Sequence, residues 1–149
     1  MKRALTALVF ALLSATPVAL AWPGPPNAPS PTPPQPTGAP PPAWIETRAR
    51  EAWLFYGSYC WQTACADMIP PQTRPGLPLF TVSRGVAIRV HLGFAAKSAT
   101  VSVDRRPIRS TLTGARRIVS WRAGRAGILT VSARASVGDA SYVARLRVR

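Results

Sequence analysis

Acidic residues and histidine are scarce in this chain of 149 residues. It has five aspartates and glutamates in total and a single histidine, His91. The five acids stand singly, without the paired or clustered spacing that acid–base catalysis or a metal site uses. The sequence also contains no Gly-x-Ser-x-Gly elbow, phosphate-binding loop or His-Glu-x-x-His pattern. We therefore predict no enzyme, no catalytic residue, no metal ligand and no cofactor.

Long hydrophobic runs are also missing beyond the N-terminus. Residues 1–3 read Met-Lys-Arg, residues 4–13 are an apolar run, and residues 19–21 read Ala-Leu-Ala. A positive head, a short apolar stretch and a small-x-small ending are typical of a cleavable secretory signal peptide. We expect residues 1–21 to be removed, so that no transmembrane segment is left. The protein is then exported, whether secreted, periplasmic or associated with the cell wall. The alternative is a signal retained as an anchor.

The segment from residue 22 to 43 is half proline and carries no charged side chain. Proline fixes φ and lacks an N–H donor, so the segment cannot form a helix or a strand ladder. We predict a disordered linker over 22–43, which at roughly 3 Å per residue would reach about 60 Å. A stalk that holds the domain off a surface and a proline-rich ligand for another protein are the functional alternatives.

Short alternating apolar runs, separated by turn residues, fill the chain from residue 44 to 149. Val86, Ile88 and Val90 alternate with small or polar residues, as do the valines of 101–103. Such period-2 runs predict antiparallel strands. We expect one all-β domain over 44–149, an immunoglobulin-like antiparallel sandwich of seven to nine short strands. The segment around Ser-Arg-Gly at 83–85 predicts either a hairpin or a strand that switches sheets.

The last two strands allow a prediction of pairing. A two-residue loop at Gly138-Asp139 would place Ala135 opposite Tyr142 and Val131 opposite Leu146. One face of this hairpin is then apolar, and the other is wet and basic. We predict that the wet face is an anion-binding face formed by Arg134, Arg145, Arg147 and Arg149.

Positive charge dominates the chain, whose formal net charge is +14. Without Lys2 and Arg3, 17 basic residues stand against five acidic ones, a net charge of +12. Arginine forks suit phosphate and carboxylate oxygens, which points to phospholipid headgroups, wall polymers or acidic polysaccharides outside the cell. No recognition helix or aromatic single-strand platform favours nucleic acid. The alternative is a solvated basic surface that reflects composition bias alone.

Cys60 and Cys65 are the only cysteines, and export would place them in an oxidising compartment. We predict one disulfide that closes a short loop, since four residues separate the cysteines rather than the two of a redox pair. Trp61, Gln62 and Thr63 form a candidate recognition loop between them. Trp61 and Tyr59 would alternatively pack around the disulfide.

Asp67 is predicted to cap the same loop by accepting backbone N–H bonds. The tryptophans at 44, 53 and 121 suggest either sugar stacking or burial in the core.

Several motifs together resemble a group of uncharacterised exported bacterial β-sandwich domains. They are Gly-Ser-Tyr-Cys-Trp at 57–61, Cys-Ala-Asp at 65–67, Pro-Pro at 70–71 and Gly-Asp-Ala-Ser-Tyr at 138–142. The resemblance implies an exported immunoglobulin-like module and no particular activity. This chain departs from the group by lacking a cysteine for lipid attachment and by its arginine content.

We expect a binding or interaction module of the cell envelope, with an anionic envelope surface or another envelope protein as partner. One alternative is a small secreted inhibitor of a protease or glycosidase that presents the disulfide-held loop. Another is a purely structural envelope module.

Overall fold

A computed structural model describes residues 28–29, 32–48 and 50–149 of the chain. Within these residues all of the regular secondary structure is β-strand, which confirms the predicted all-β class. The signal peptide predicted for residues 1–21 lies outside the described residues. The twelve strands are β1 (Ala43–Glu46), β2 (Glu51–Trp53), β3 (Phe55–Trp61), β4 (Ala64–Ala66), β5 (Leu79–Val82), β6 (Ala87–Leu92), β7 (Ser98–Val103), β8 (Arg106–Ile108), β9 (Thr111–Thr113), β10 (Ile118–Arg122), β11 (Gly127–Arg134) and β12 (Gly138–Val148).

The strands form two sheets. The five-stranded sheet has the order β2-β1-β6-β10-β9, and the seven-stranded sheet has the order β4-β3-β12-β11-β7-β8 with β5 beside β12. The count exceeds the predicted seven to nine because four strands, β2, β4, β8 and β9, are only three residues long. These short strands lie at the edges of the sheets, where they limit the length of unpaired backbone.

The strand order is that of an immunoglobulin-like sandwich. Strands β6, β10 and β9 take the places of B, E and D, and β7, β11 and β12 take those of C, F and G. β5 runs parallel to β12, with Leu79 opposite Arg145, whereas β6 belongs to the other sheet. The chain therefore switches sheets at 83–85, and the hairpin alternative is wrong.

Apolar residues that alternate along the strands form the core between the two sheets. Val131 and Leu129 of β11 lie opposite Val101 and Val103 of β7, and all four are buried. The five-stranded sheet contributes Val90 of β6, which is also fully buried. Each such side chain contributes roughly 1.5–3 kcal/mol when removed from water.

The C-terminal hairpin turns two residues earlier than we predicted. Its loop is Ser136-Val137, because the N–H of Ala135 donates to the carbonyl of Gly138 over 2.8 Å and Val131 lies opposite Tyr142. The predicted pairing of Ala135 with Tyr142 is therefore wrong. The apolar and arginine faces nevertheless stay as predicted, since an even displacement leaves every side chain on its own side of the sheet.

The end of the predicted linker belongs to the folded domain. Ala39, Pro40 and Ala43 are buried, and a turn at residues 36–39 is closed by the Ala39 N–H donating to the Pro36 carbonyl over 3.0 Å. Gly38 in this turn has φ of +74°, a backbone conformation that glycine adopts readily. The last residues of the predicted linker, 39–43, therefore pack with the domain predicted for 44–149.

The predicted disulfide joins Cys60 to Cys65 across the β3–β4 hairpin. The two cysteines lie directly opposite each other, and Gln62 and Thr63 form the turn between the strands. The bridge therefore closes a hairpin that the backbone ladder already defines.

Replacing Cys60 by serine is expected to lower the free energy of unfolding by roughly 2 kcal/mol, because so short a closed loop restricts the unfolded chain only modestly. Denaturant unfolding of oxidised wild type and the variant measures the difference. Cys65→Ser should have the same effect, and a denaturation midpoint unchanged in both would contradict it.

Candidate functional site: an arginine-lined groove

The four arginines of the predicted anion-binding face are all exposed, but they do not form one cluster. Arg134 lies opposite Asp139 at the hairpin end of β11, whereas Arg145 is six residues further along β12. At about 3.4 Å per residue this separates Arg134 from Arg145 by roughly 20 Å. The Arg134 Nε also donates to the Asp139 carboxylate over 2.8 Å, and this contact raises the pKa of the guanidinium. Arg134 is therefore on the predicted face but too far from Arg145 to bind the same anion.

Arg145 and Arg147 remain as neighbours on the outer face of the seven-stranded sheet. They alternate along β12 beside β5, opposite Leu79 and Thr81. Arg149 follows at the chain end, where its carbonyl accepts the backbone N–H of Arg84 over 2.9 Å. Arg84 belongs to a second and denser group of arginines, which is described next.

A groove of about 600 Å³ lies at one end of the five-stranded sheet. Its charged lining is four arginines and one glutamate: Arg48, Arg84, Arg89, Arg122 and Glu46. We call this the arginine groove. Its formal charge is +3, and it draws on the β1–β2 loop, the β5–β6 turn and strands β1, β6 and β10. Sequence analysis missed it because these residues are far apart in the chain.

Two of the groove arginines are held in place by backbone carbonyls. The Arg84 Nη1 donates to the Gly124 carbonyl over 3.0 Å, and the Arg122 Nη1 donates to the Gly85 carbonyl over 2.9 Å. Each bond crosses between the β5–β6 turn and the end of β10. Because each guanidinium carries five donors, most of its N–H groups stay available to an anion. The two side chains are thus oriented before any ligand binds.

Glu46 and Arg89 also line the groove. They are directly paired across β1 and β6, with 3.4 Å between the Arg89 Nη1 and the Glu46 Oε1. The other carboxylate oxygen of Glu46 lies 2.7 Å from Nε2 of His91, whose ring stacks on Trp44. Glu46 therefore orients Arg89 and offsets part of its charge, which leaves Arg48, Arg84 and Arg122 as the stronger attraction for an anion.

Of the three residues of the predicted recognition loop, only Gln62 and Thr63 at its tip are exposed. Trp61 is only 6% exposed and packs against Phe94, with 4.6 Å between the ring centroids. Trp61 and Tyr59 face away from the cysteines, because neighbouring strand residues point to opposite sides of the sheet. The prediction that both pack around the disulfide is wrong. Gln62 and Thr63 are exposed, and the Gln62 N–H donates to the Val137 carbonyl over 2.7 Å.

Asp67 has a different role from the one predicted. Within the described residues its carboxylate accepts a hydrogen bond from the Ser58 hydroxyl over 2.7 Å rather than bonds from backbone N–H groups of the loop. The Ser58 hydroxyl oxygen in turn accepts the Met68 N–H over 3.1 Å. Asp67 therefore joins the segment after β4 to β3 and leaves the loop uncapped.

Two of the three tryptophans considered for sugar stacking are buried. Trp121 lies in the core, and Trp44 is 2% exposed. Trp53 is half-buried, and its Nε1 donates to the Pro29 carbonyl over 2.8 Å. A sugar-stacking surface built on all three rings is therefore wrong.

Comparison of the chain with protein-family models, with curated proteins and with solved structures gives no match. No group of three or more potential metal ligands occurs among the described residues. In the same part of the chain no helix is long and apolar enough to cross a lipid bilayer.

Proposed function

We propose that this protein is an exported binding module of the cell envelope that takes anionic groups in the arginine groove. The observation that carries the proposal is the convergence of Arg48, Arg84, Arg89 and Arg122 on one concave surface with a single acid among them. Four like charges repel one another, so a cluster of this kind is stabilised by an anion that lies between them.

Arginine also selects the chemistry of the ligand. Its planar fork binds the two oxygens of a phosphate or carboxylate at once, and such charge-assisted bonds are stronger than neutral ones. Since Arg84 and Arg122 are already held by backbone carbonyls, binding would cost little additional side-chain ordering. The phospholipid headgroups, wall polymers and acidic polysaccharides of an envelope present repeated anions of this type.

The test is co-sedimentation of residues 22–149 with vesicles of an anionic phospholipid, with neutral vesicles and with isolated envelopes, over a salt series. We expect binding to anionic surfaces that weakens as salt rises, because exposed charges are screened. The groove variant Arg84→Ser/Arg122→Ser should bind at least roughly tenfold more weakly, as expected for the loss of two charge-assisted contacts.

Arg145→Ser/Arg147→Ser is the matched control, since it removes the same charge from exposed positions of the opposite sheet. It should reduce binding about threefold or less through the net charge alone. Equal losses in both variants would show that overall charge and not the groove attracts the surface. If no anionic surface is bound even at low salt, the proposal is wrong.

A further inference from the structure

Three aromatic side chains donate hydrogen bonds to the carbonyls of the proline-rich segment. The Trp53 Nε1 donates to the Pro29 carbonyl over 2.8 Å, the Tyr56 hydroxyl to Pro40 over 2.9 Å, and the Tyr142 hydroxyl to Pro41 over 2.6 Å. A proline has no N–H, so its carbonyl is the one backbone group through which it can be held. The domain therefore supplies donors that match a proline-rich backbone.

The turn at residues 36–39 divides this segment into two arms. The inner arm, residues 39–42, is part of the fold: Pro40 is fully buried, and a side chain at Gly93 would meet Pro41 at 2.5 Å. The outer arm, described at residues 28–29 and 32–36, is held less deeply. Ala28, Pro29 and Pro33 are half-buried, and Thr32 and Pro34 are exposed. The outer arm is therefore the part that another ligand could replace.

Trp53, which donates to the Pro29 carbonyl of the outer arm, is the first of three aromatic residues in a row on the outer face of the five-stranded sheet. Trp53 is opposite Trp44, and Trp44 is opposite His91, whose ring is parallel to that of Trp44 at 3.7 Å. Its strand neighbours Ala43 and Ile45 point into the core, so Trp44 points to the outer face of the sheet. Trp44 is nevertheless only 2% exposed. Its Nε1 is buried and has no hydrogen-bond partner among the described residues.

We infer that Trp53, Trp44 and His91 form a recognition site for extended proline-rich peptides, and that the outer arm is its resident ligand. Aromatic rings pack against pyrrolidine rings and indole N–H groups bind the free carbonyls, which is how grooves lined by aromatic residues recognise polyproline II segments. The site adjoins the arginine groove, because Glu46 of the groove lies 2.7 Å from Nε2 of His91, but the two bind different ligands. Its ligand class is neutral and proline-rich, whereas the groove selects anions.

A resident ligand changes how the site responds to a peptide added in solution. A segment tethered this closely competes at an effective concentration in the millimolar range. The intact chain should therefore bind an added peptide weakly. Replacing the half-buried Pro29 and Pro33 by glycine keeps the Pro29 carbonyl but removes both pyrrolidine rings and their extended backbone preference. Because this weakens the resident competitor, it should strengthen binding of the added peptide at least tenfold.

The experiment follows the indole N–H resonances of ¹⁵N-labelled residues 22–149 during titration with acetylated decaproline. In the arm variant Pro29→Gly/Pro33→Gly, the Trp53 resonance should shift and saturate at a peptide concentration at least tenfold lower than in wild type. Pro34→Gly is the matched control, since Pro34 is exposed, and it should behave as wild type. Trp53→Phe identifies the resonance, and unmoved Trp61 and Trp121 resonances show that the core is intact.

A Gly-Ser peptide of equal length should cause no shift. The inference is overturned if the Trp53 resonance of the arm variant does not respond to decaproline, or if it responds equally to the Gly-Ser peptide. If the arm variant does not fold, wild type is titrated with decaproline to tens of millimolar. The inference is then overturned if the Trp53 resonance does not shift, or if it shifts equally with the Gly-Ser peptide.

Discussion

Replacing Gly138 by alanine is expected to lower the free energy of unfolding by at least about 3 kcal/mol. Gly138 has φ of +152°, where residues with side chains are rarely found, and it lies opposite Trp61 where β12 meets β3. A Cβ at this position would be 2.1 Å from the Cys60 carbonyl oxygen and 2.9 Å from the Trp61 Cα. Both atoms belong to the backbone, so relief requires the β3–β12 ladder to separate.

Gly124→Ala is the control for this prediction. Gly124 has no positive φ, and an added Cβ would meet nothing within 4 Å. Its stability should stay within about 0.5 kcal/mol of wild type. Equilibrium denaturation of both variants measures the difference, and equal midpoints would show that β12 does not approach β3 as closely as described.

Replacing Tyr142 by alanine is expected to cost about 3–5 kcal/mol, the range for deleting a large buried aromatic ring. Tyr142 is 0% exposed, and its ring packs against Tyr56 with 5.8 Å between the centroids. Burial, with a smaller contribution from Tyr56, raises the pKa of the Tyr142 phenol far above its ordinary value, so the hydroxyl stays protonated as the donor to Pro41. The variant loses both the ring and the contact that holds the inner proline arm.

Tyr142→Phe separates these two contributions. It keeps the ring but leaves the half-buried Pro41 carbonyl without its donor, which should cost about 1–3 kcal/mol. Tyr59→Phe, at a half-buried position, is the matched control and should cost less than about 1 kcal/mol. Thermal unfolding of the three variants measures the series. If Tyr142→Phe is as stable as wild type, the hydroxyl does not anchor the proline arm.

The hairpin of β11 and β12 shows what side-chain alternation in a sequence can predict and what it cannot. Alternation correctly separated Val131 and Tyr142, which are buried, from Arg145 and Arg147, which are exposed. It did not locate the loop, because any even displacement gives the same faces. In the structure Gly138 is the first residue of β12 and lies close to the Cys60 carbonyl, and the turn is Ser136-Val137.

The proline-rich segment shows a second limit. Within the described part of the segment Ala43 alone belongs to a strand, yet composition says nothing about burial. Pro40 and Pro41 are bound because Tyr56 and Tyr142 bring hydroxyl donors to their carbonyls from 16 and 101 residues away in the chain. Contacts of that sequence separation leave no local periodic signal.

The local properties could therefore be predicted from the sequence: the all-β class, the opposite sides of Tyr142 and Arg145 on the last strand, and the Cys60–Cys65 pair. These follow from side-chain alternation and from there being only two cysteines. Tertiary structure decided which arginines meet. It separated Arg134 from Arg145 by a change of register and brought Arg48, Arg84, Arg89 and Arg122 together at the end of one sheet. The physical reason is that the pairing of distant strands, and the backbone close contacts that set its register, depend on three-dimensional packing.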